Sequence, residues 1–148
     1  MTGQLRPHRS PLYLATALVA GLLFPNLGAA QGINLTVEGL RNGEGKVMVF
    51  VFDSVKTYDA FDYMAAVDYA EVPARKGHVQ HNFKSLTKGP YAIVLIHDEN
   101  NDDDLNYTDT HLLEGLGATG APNPTDVPSF KQASVFPGAV TVRIHYDK

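Results

Sequence analysis

The sequence predicts an all-β fold, a single sandwich of about seven short strands with one short helix or ordered loop. Three observations carry this. Two runs, KVMVFVF (46–52) and AIVLI (92–96), are apolar on both faces and rich in Val, Ile and Phe, as strands buried in the middle of a sheet are. Two others, 33–40 and 139–146, place apolar residues at every second position. Between the runs stand Gly, Pro and Asn clusters that mark turns.

In order, residues 1–30 carry Arg6, His8 and Arg9, an apolar run over 11–27, and the small residues Gly28, Ala29 and Ala30. This is the pattern of a secretory signal peptide, with cleavage after Ala30. Pro25 and Asn26 interrupt the run, which disfavours a retained membrane anchor. The remaining domain, 31–148, has 118 residues and suits one core. Removing Arg6 and Arg9 leaves ten basic against sixteen acidic side chains, a net charge of −6, so nucleic acid is excluded as a partner. Cysteine is absent, so no disulfide framework supports the fold. These features place the chain in the periplasm or outside the cell, as a monomer whose partner is a protein or a surface glycan.

Ile33, Leu35 and Val37 form the inner face of the first strand. The Asn42-Gly43 turn is expected to fold residues 46–52 back on it as a hairpin. Over 54–66 the apolar spacing changes to three and four (Val55, Tyr58, Phe61, Ala65), with Ser54 as cap, which predicts a short helix packed on the core. A strand over 68–73 and another over 78–83 follow. His78 and His81 are three apart in the latter and face opposite ways, so they do not form a metal pair. The Gly89-Pro90 turn leads into the second buried run, in which His97 shares the parity of Ile93 and Leu95 while Asp98 shares that of Val94 and Ile96. Residues 110–128 show little periodicity. A short edge strand is expected over 129–136, and a last strand over 139–146 with Val140, Val142, Ile144 and Tyr146 inward and His145 exposed.

The candidate site lies where the second buried run ends. Oxygen-bearing side chains fall at every second position, Asp98, Asn100, Asp102, Asp104 and Asn106, and Asp109 closes a stretch of twelve. This is close to the spacing of a calcium loop, with Leu105 at the apolar eighth position. Asp103 replaces the usual glycine at the sixth place and Asp109 the usual glutamate at the twelfth, so calcium is expected to bind weakly. Six of the twelve residues are acidic and none is basic. The competing reading is a solvated turn in which Asp and Asn side chains bond nearby backbone amides.

The strand running into His97, Asp98 and Asn100, the acidic loop, the segment Glu114-Gly115-Leu116-Gly117, and Pro128-Ser129-Phe130 with Ala133 together resemble a bacterial exported family known only as domain of unknown function 2141. The resemblance implies a small exported β domain and no established activity. Two departures from the family pattern stand out: Asp103 for a loop glycine, and Ala118-Thr119 for Ser-Asn. The segment FKSLTKGPYAIVLI is similar to strands of transthyretin-like and carboxypeptidase-regulatory-like sandwiches, so an immunoglobulin-like or transthyretin-like arrangement is expected; that likeness carries no function.

The expected role is that of a non-enzymatic exported domain in which calcium orders the loop, together with Glu114 and the passage to Phe130, to present a surface. The alternative is a small hydrolase using His97 with Asp98 or Glu114 as acid and base. No nucleophile elbow, zinc-protease histidine pair, phosphate loop or thiol accompanies these residues.

Overall fold

The computed structural model describes residues 31–123 and 126–147. The segment read as a signal peptide lies outside them. Seven strands form two sheets. β1 (Ile33–Leu40), β4 (Gly77–Phe83) and β7 (Gly138–Arg143) make a three-stranded sheet in the order β4-β1-β7. The other sheet has the order β3-β2-β5-β6, from β2 (Lys46–Phe52), β3 (Asp68–Pro73), β5 (Ala92–Asp98) and β6 (Gly115–Ala118). Only two short α-helices occur among the described residues, α1 (Val55–Asp59) and α2 (Phe130–Ala133). The all-β sandwich is as the sequence predicts.

Strand chemistry explains the layers. On β1, Ile33, Leu35 and Val37 point between the sheets, where they meet Val47, Val49, Val51, Ile93 and Leu95 from β2 and β5. The alternate residues of β1, Asn34 and Glu38, are exposed, so the outer face of its sheet is polar. β2 and β5 carry a second apolar face. Phe52, Ala92 and Val94 pack there against Tyr58 of α1 and Phe130 and Ala133 of α2, forming a second core on the outside of the four-stranded sheet. Burial on both sides is why these two strands lack alternation.

Several expectations are corrected. Residues 41–45 do not make a hairpin: β1 pairs with β4 and β7, while β2 pairs with β3 and β5, so the turn carries the chain from one sheet to the other. The Asn-Gly signal fixes a reversal but not the pairing. Residues 129–136 hold a helical turn in place of an edge strand. Ser129 and Gln132 form a reciprocal capping box that satisfies the amides at the start of α2. The unpatterned passage 110–128 contains β6, whose glycines allow close approach to β7 and its continuation. α1 starts at the Ser54 cap as expected, but Val55 is 55 % exposed and only Tyr58 of the helix is buried. His145 is half-buried, because its backbone pairs with Leu116 of β6. His78 and His81 do face opposite ways, and His81 packs edge-on against Phe83.

Candidate functional site

Three strand ends converge at one end of the four-stranded sheet. β5 finishes at Asp98, which stands opposite Lys46 at the start of β2, and Gly115 at the start of β6 stands opposite His97. Gly45 makes the closest approach: at φ +62, a Cβ there would lie 1.9 Å from the carbonyl oxygen of Asp98. Only a residue without a side chain lets the inter-sheet turn rest on the end of β5.

The acidic loop leaves this junction as a series of side-chain-to-backbone bonds. Asp98 is fully buried; its Oδ1 accepts from the Asp102 amide at 3.2 Å and its Oδ2 from the Asp103 amide at 3.0 Å. The Asp102 amide also donates to Asn100 Oδ1 at 2.9 Å, Asp102 Oδ1 accepts from the Asp104 amide at 3.0 Å, and Asp104 Oδ1 from the Leu105 amide at 2.8 Å. Such bonds are what Asp and Asn contribute to turns. Two residues, Asn101 at φ 60 and Asp103 at φ 66, take the left-handed conformation. Asp103 thus adopts the backbone angle for which a glycine is usual at the sixth place, at the modest cost Asp and Asn incur there.

The loop is closed by Glu114. This side chain is 3 % exposed and accepts two backbone N–H groups, from Glu99 to Oε1 and from Asn106 to Oε2, each at 3.0 Å. One carboxylate therefore ties the start of the loop to its end. Asp109, the residue the twelve-residue count selects, is elsewhere: it is exposed in the turn between the bridged residues Tyr107 and Leu112. Counting alternate positions cannot find Glu114, because a small hairpin intervenes. Its signal is a carboxylate placed directly before β6, the strand that pairs with the end of β5.

Side chains at the centre of the loop bond each other. Asn100 Nδ2 donates to Asp102 Oδ2 at 2.8 Å and to Asn106 Oδ1 at 2.6 Å, and Asn106 Nδ2 donates to Asp102 Oδ2 at 3.0 Å. These amide donors, Asn106 foremost, hold the Asp102 carboxyl below the usual carboxylate range. Among the described residues, no group of three or more His, Cys, Asp or Glu side chains is gathered closely enough to hold a metal ion. Asp98, Asn100, Asp102 and Asn106 are brought together by hydrogen bonds, Asp104 follows them through its amide, and Asp109 does not join.

Two cations flank the loop. Lys46 bonds Asp103, lies 3.2 Å from Glu71 and 3.9 Å from Asp98, and Asp103, followed by Glu71, raises its pKa. Arg41 pairs with Glu99, its Nε 2.8 Å from Oε1, and lies 4.5 Å over the Tyr146 ring. Asn42 adds a bond to Glu99 at 2.6 Å. Arg41, followed by Asn42, holds the Glu99 carboxyl below its ordinary value against the opposing effect of burial.

His97 faces the other way, into the space between the sheets, and is fully buried. Its Nε2 lies 2.8 Å from the Glu44 carbonyl oxygen and its Nδ1 2.6 Å from the Tyr146 hydroxyl. The carbonyl can only accept, so Nε2 carries the proton, and in the neutral ring Nδ1 accepts from Tyr146. Tyr146 in turn accepts from the Arg41 amide at 3.2 Å. Both ring nitrogens are committed to the scaffold.

A family model described as "Uncharacterized protein conserved in bacteria", domain of unknown function 2141, matches residues 35–144. The chain belongs to this family. The match runs from β1 through β7 to Ile144 and so includes the whole loop and Glu114. No curated protein and no solved structure matches the chain. Among the described residues, no helix is long and apolar enough to cross a membrane.

Proposed function

We propose that this member of domain of unknown function 2141 is an exported, non-enzymatic binding module whose acidic loop takes one calcium ion weakly and thereby fixes a surface for a protein or glycan partner. The observation that carries the calcium reading is Glu114. In a calcium loop the last carboxylate closes the turn; here a buried glutamate from beyond the loop closes it, its two oxygens each accepting a backbone N–H from one end of the loop. Donors at alternate positions and left-handed residues at the fourth and sixth places support the same reading. The ion's ligands would come from Asp98, Asn100, Asp102, Asp104 and Asn106 with Glu114, Asp109 standing outside the set. The two asparagines, which now offer NH₂ groups to Asp102, would turn their carbonyl oxygens inward.

Export rests on the charged, apolar and small-residue pattern of 1–30. The non-enzymatic reading is supported by His97, whose ring is fully buried, bonded to the Glu44 carbonyl and the Tyr146 hydroxyl and closed to a substrate. The carboxylate of its neighbour Asp98 is spent on loop amides.

The test is thermal melting of the 31–148 protein, stripped with chelator and titrated with calcium, with magnesium as control. At a hundredfold excess over the dissociation constant, calcium should add about 2.7 kcal/mol. The rise should saturate and be abolished by Glu114→Gln. A melt unchanged up to millimolar calcium would leave the loop as a self-bonded acidic turn.

A further inference from the structure

The outer face of the four-stranded sheet is covered unevenly. α1 and α2 seal one end over Phe52 and Ala92, whereas toward the loop two grooves remain open. One, of about 260 Å³, runs over Val94 and Leu116 beneath Tyr58, Phe61 and Val127. The other, of about 480 Å³, runs over Met48, Phe50 and Ile96 beside Tyr69 and Met64. They meet at Tyr63 and Leu105, which line both. Leu105, the apolar residue of the acidic loop, is therefore part of this surface.

Apolar side chains stand open along it: Met64 is 97 % exposed, Val127 69 % and Phe61 42 %. Phe61 also holds a left-handed backbone at φ 47, a strain that a bulky residue rarely bears. A continuous apolar strip of this kind marks an interaction surface. Its charge is one-sided. Among the described residues no Lys or Arg lines either groove, while Asp126 lines the first and Asp103, Asp104 and Glu71 line the second. Lys46 compensates Asp103 and Glu71. Asp104 and Asp126 have no ion pair among the described residues, and the charge of Asp104 reaches Tyr63, whose hydroxyl is pushed up chiefly by burial and further by Asp104.

We propose that this double groove is the docking site for a basic, amphipathic polypeptide segment, its apolar side chains seated over Tyr63 and Leu105 and its Lys or Arg side chains meeting Asp104 and Asp126. Charge complementarity selects the occupant. A neutral apolar segment would cover two rim carboxylates that have neutral donors, Asn123 Nδ2 to Asp126 and the Leu105 amide to Asp104, but no counter-ion among the described residues, and an acidic one would be repelled. The outer face of the other sheet offers no such site, being polar along β1 and β4 with Asn82 bonded to Asn34 and Gln80 to Thr36. The inference deepens the binding-module reading and needs no calcium; a calcium ion on Asp104 would take that carboxylate from the segment, so binding should be tighter in chelator than in calcium.

The test uses a labelled Leu/Lys amphipathic peptide and its Leu/Glu counterpart, titrated against the protein by fluorescence anisotropy at physiological ionic strength, in calcium and in chelator. The Leu/Lys peptide should bind saturably and the Leu/Glu peptide should not. Met64→Lys should weaken binding by about tenfold or more, and Asp104→Asn several-fold, because each alters the centre of a charge-matched contact. Glu38→Gln, which removes a carboxylate from the opposite sheet, should leave it unchanged. Absence of saturable binding in both media would overturn the proposal, as would a loss with Glu38→Gln equal to that with Asp104→Asn. A calcium-induced melt shift with no peptide binding would overturn this proposal and leave the calcium reading intact. Peptide binding with no melt shift would do the reverse.

Discussion

The two sheets share one core but differ in what they do with their outer faces. The β4-β1-β7 sheet turns a polar face outward, along which side chains bond one another across strands. The β3-β2-β5-β6 sheet buries a second apolar layer and carries on its flank the acidic loop, Glu114 and the open grooves. One sheet closes the core, and the other closes it while supporting the candidate site. A strand covered on both sides is held in place from both, and such a strand gives the loop a fixed first residue.

The sharpest test of this contrast is a pair of outward-facing truncations measured by urea unfolding. Ile96→Ala on β5 removes a side chain that is 3 % exposed and should cost about 2–5 kcal/mol. Thr36→Ala on β1, whose hydroxyl accepts from the exposed Gln80, should change stability by less than about 0.5 kcal/mol. Equal effects would mean that the two outer faces are energetically alike.

Next in size is the loop clamp. Glu114→Ala leaves two part-buried backbone amides without their acceptor and should cost about 2–4 kcal/mol. Asp109→Ala should fall within about 0.5 kcal/mol of the parent. A larger effect at Asp109 than at Glu114 would show that the loop is closed in solution by its twelfth residue.

The smallest effect is the response to acid. Glu99 and Asp102 both have carboxyls depressed in the folded state, by Arg41 and by the loop asparagines respectively. Depressed values contribute stability that is fully present above the unfolded-state value and is lost as the pH falls through the folded one. The urea midpoint should therefore drop below about pH 5 and continue to drop toward pH 3. In Glu99→Gln the drop should be shallower, because one of the depressed carboxyls, which include Glu71, no longer titrates. An identical acid profile for parent and variant would remove Glu99 from this account.

What the sequence reveals follows from what is local. The buried strands β2 and β5, the inward parity of His97 and the outward parity of Asp98 are all readable because side-chain direction alternates residue by residue. The Asn42-Gly43 turn was readable as a reversal, but whether the strand after it joins the same sheet depends on partners far along the chain. α2 is too short to show a period, although Ser129 and Gln132 stand at capping-box spacing. For the loop, the alternate donors and the left-handed sixth residue are local. Glu114 is not, since its role depends on β6 pairing with β5.

The parallel pairing of β1 with β7 has a consequence for how the molecule comes into being. Ile33 lies beside Gly138 and Glu38 beside Arg143, so the first strand has its last neighbour from the other end of the chain. Tyr146, just beyond, completes the bonds of His97 behind the loop. A chain made or threaded from its N-terminus has β1, β4 and the entire loop in hand while one flank of β1 is still bare. Until residues 138–146 arrive, that flank is an unpaired strand edge, open to other chains and to proteases. The longer the final strand is delayed, the longer that edge stays bare.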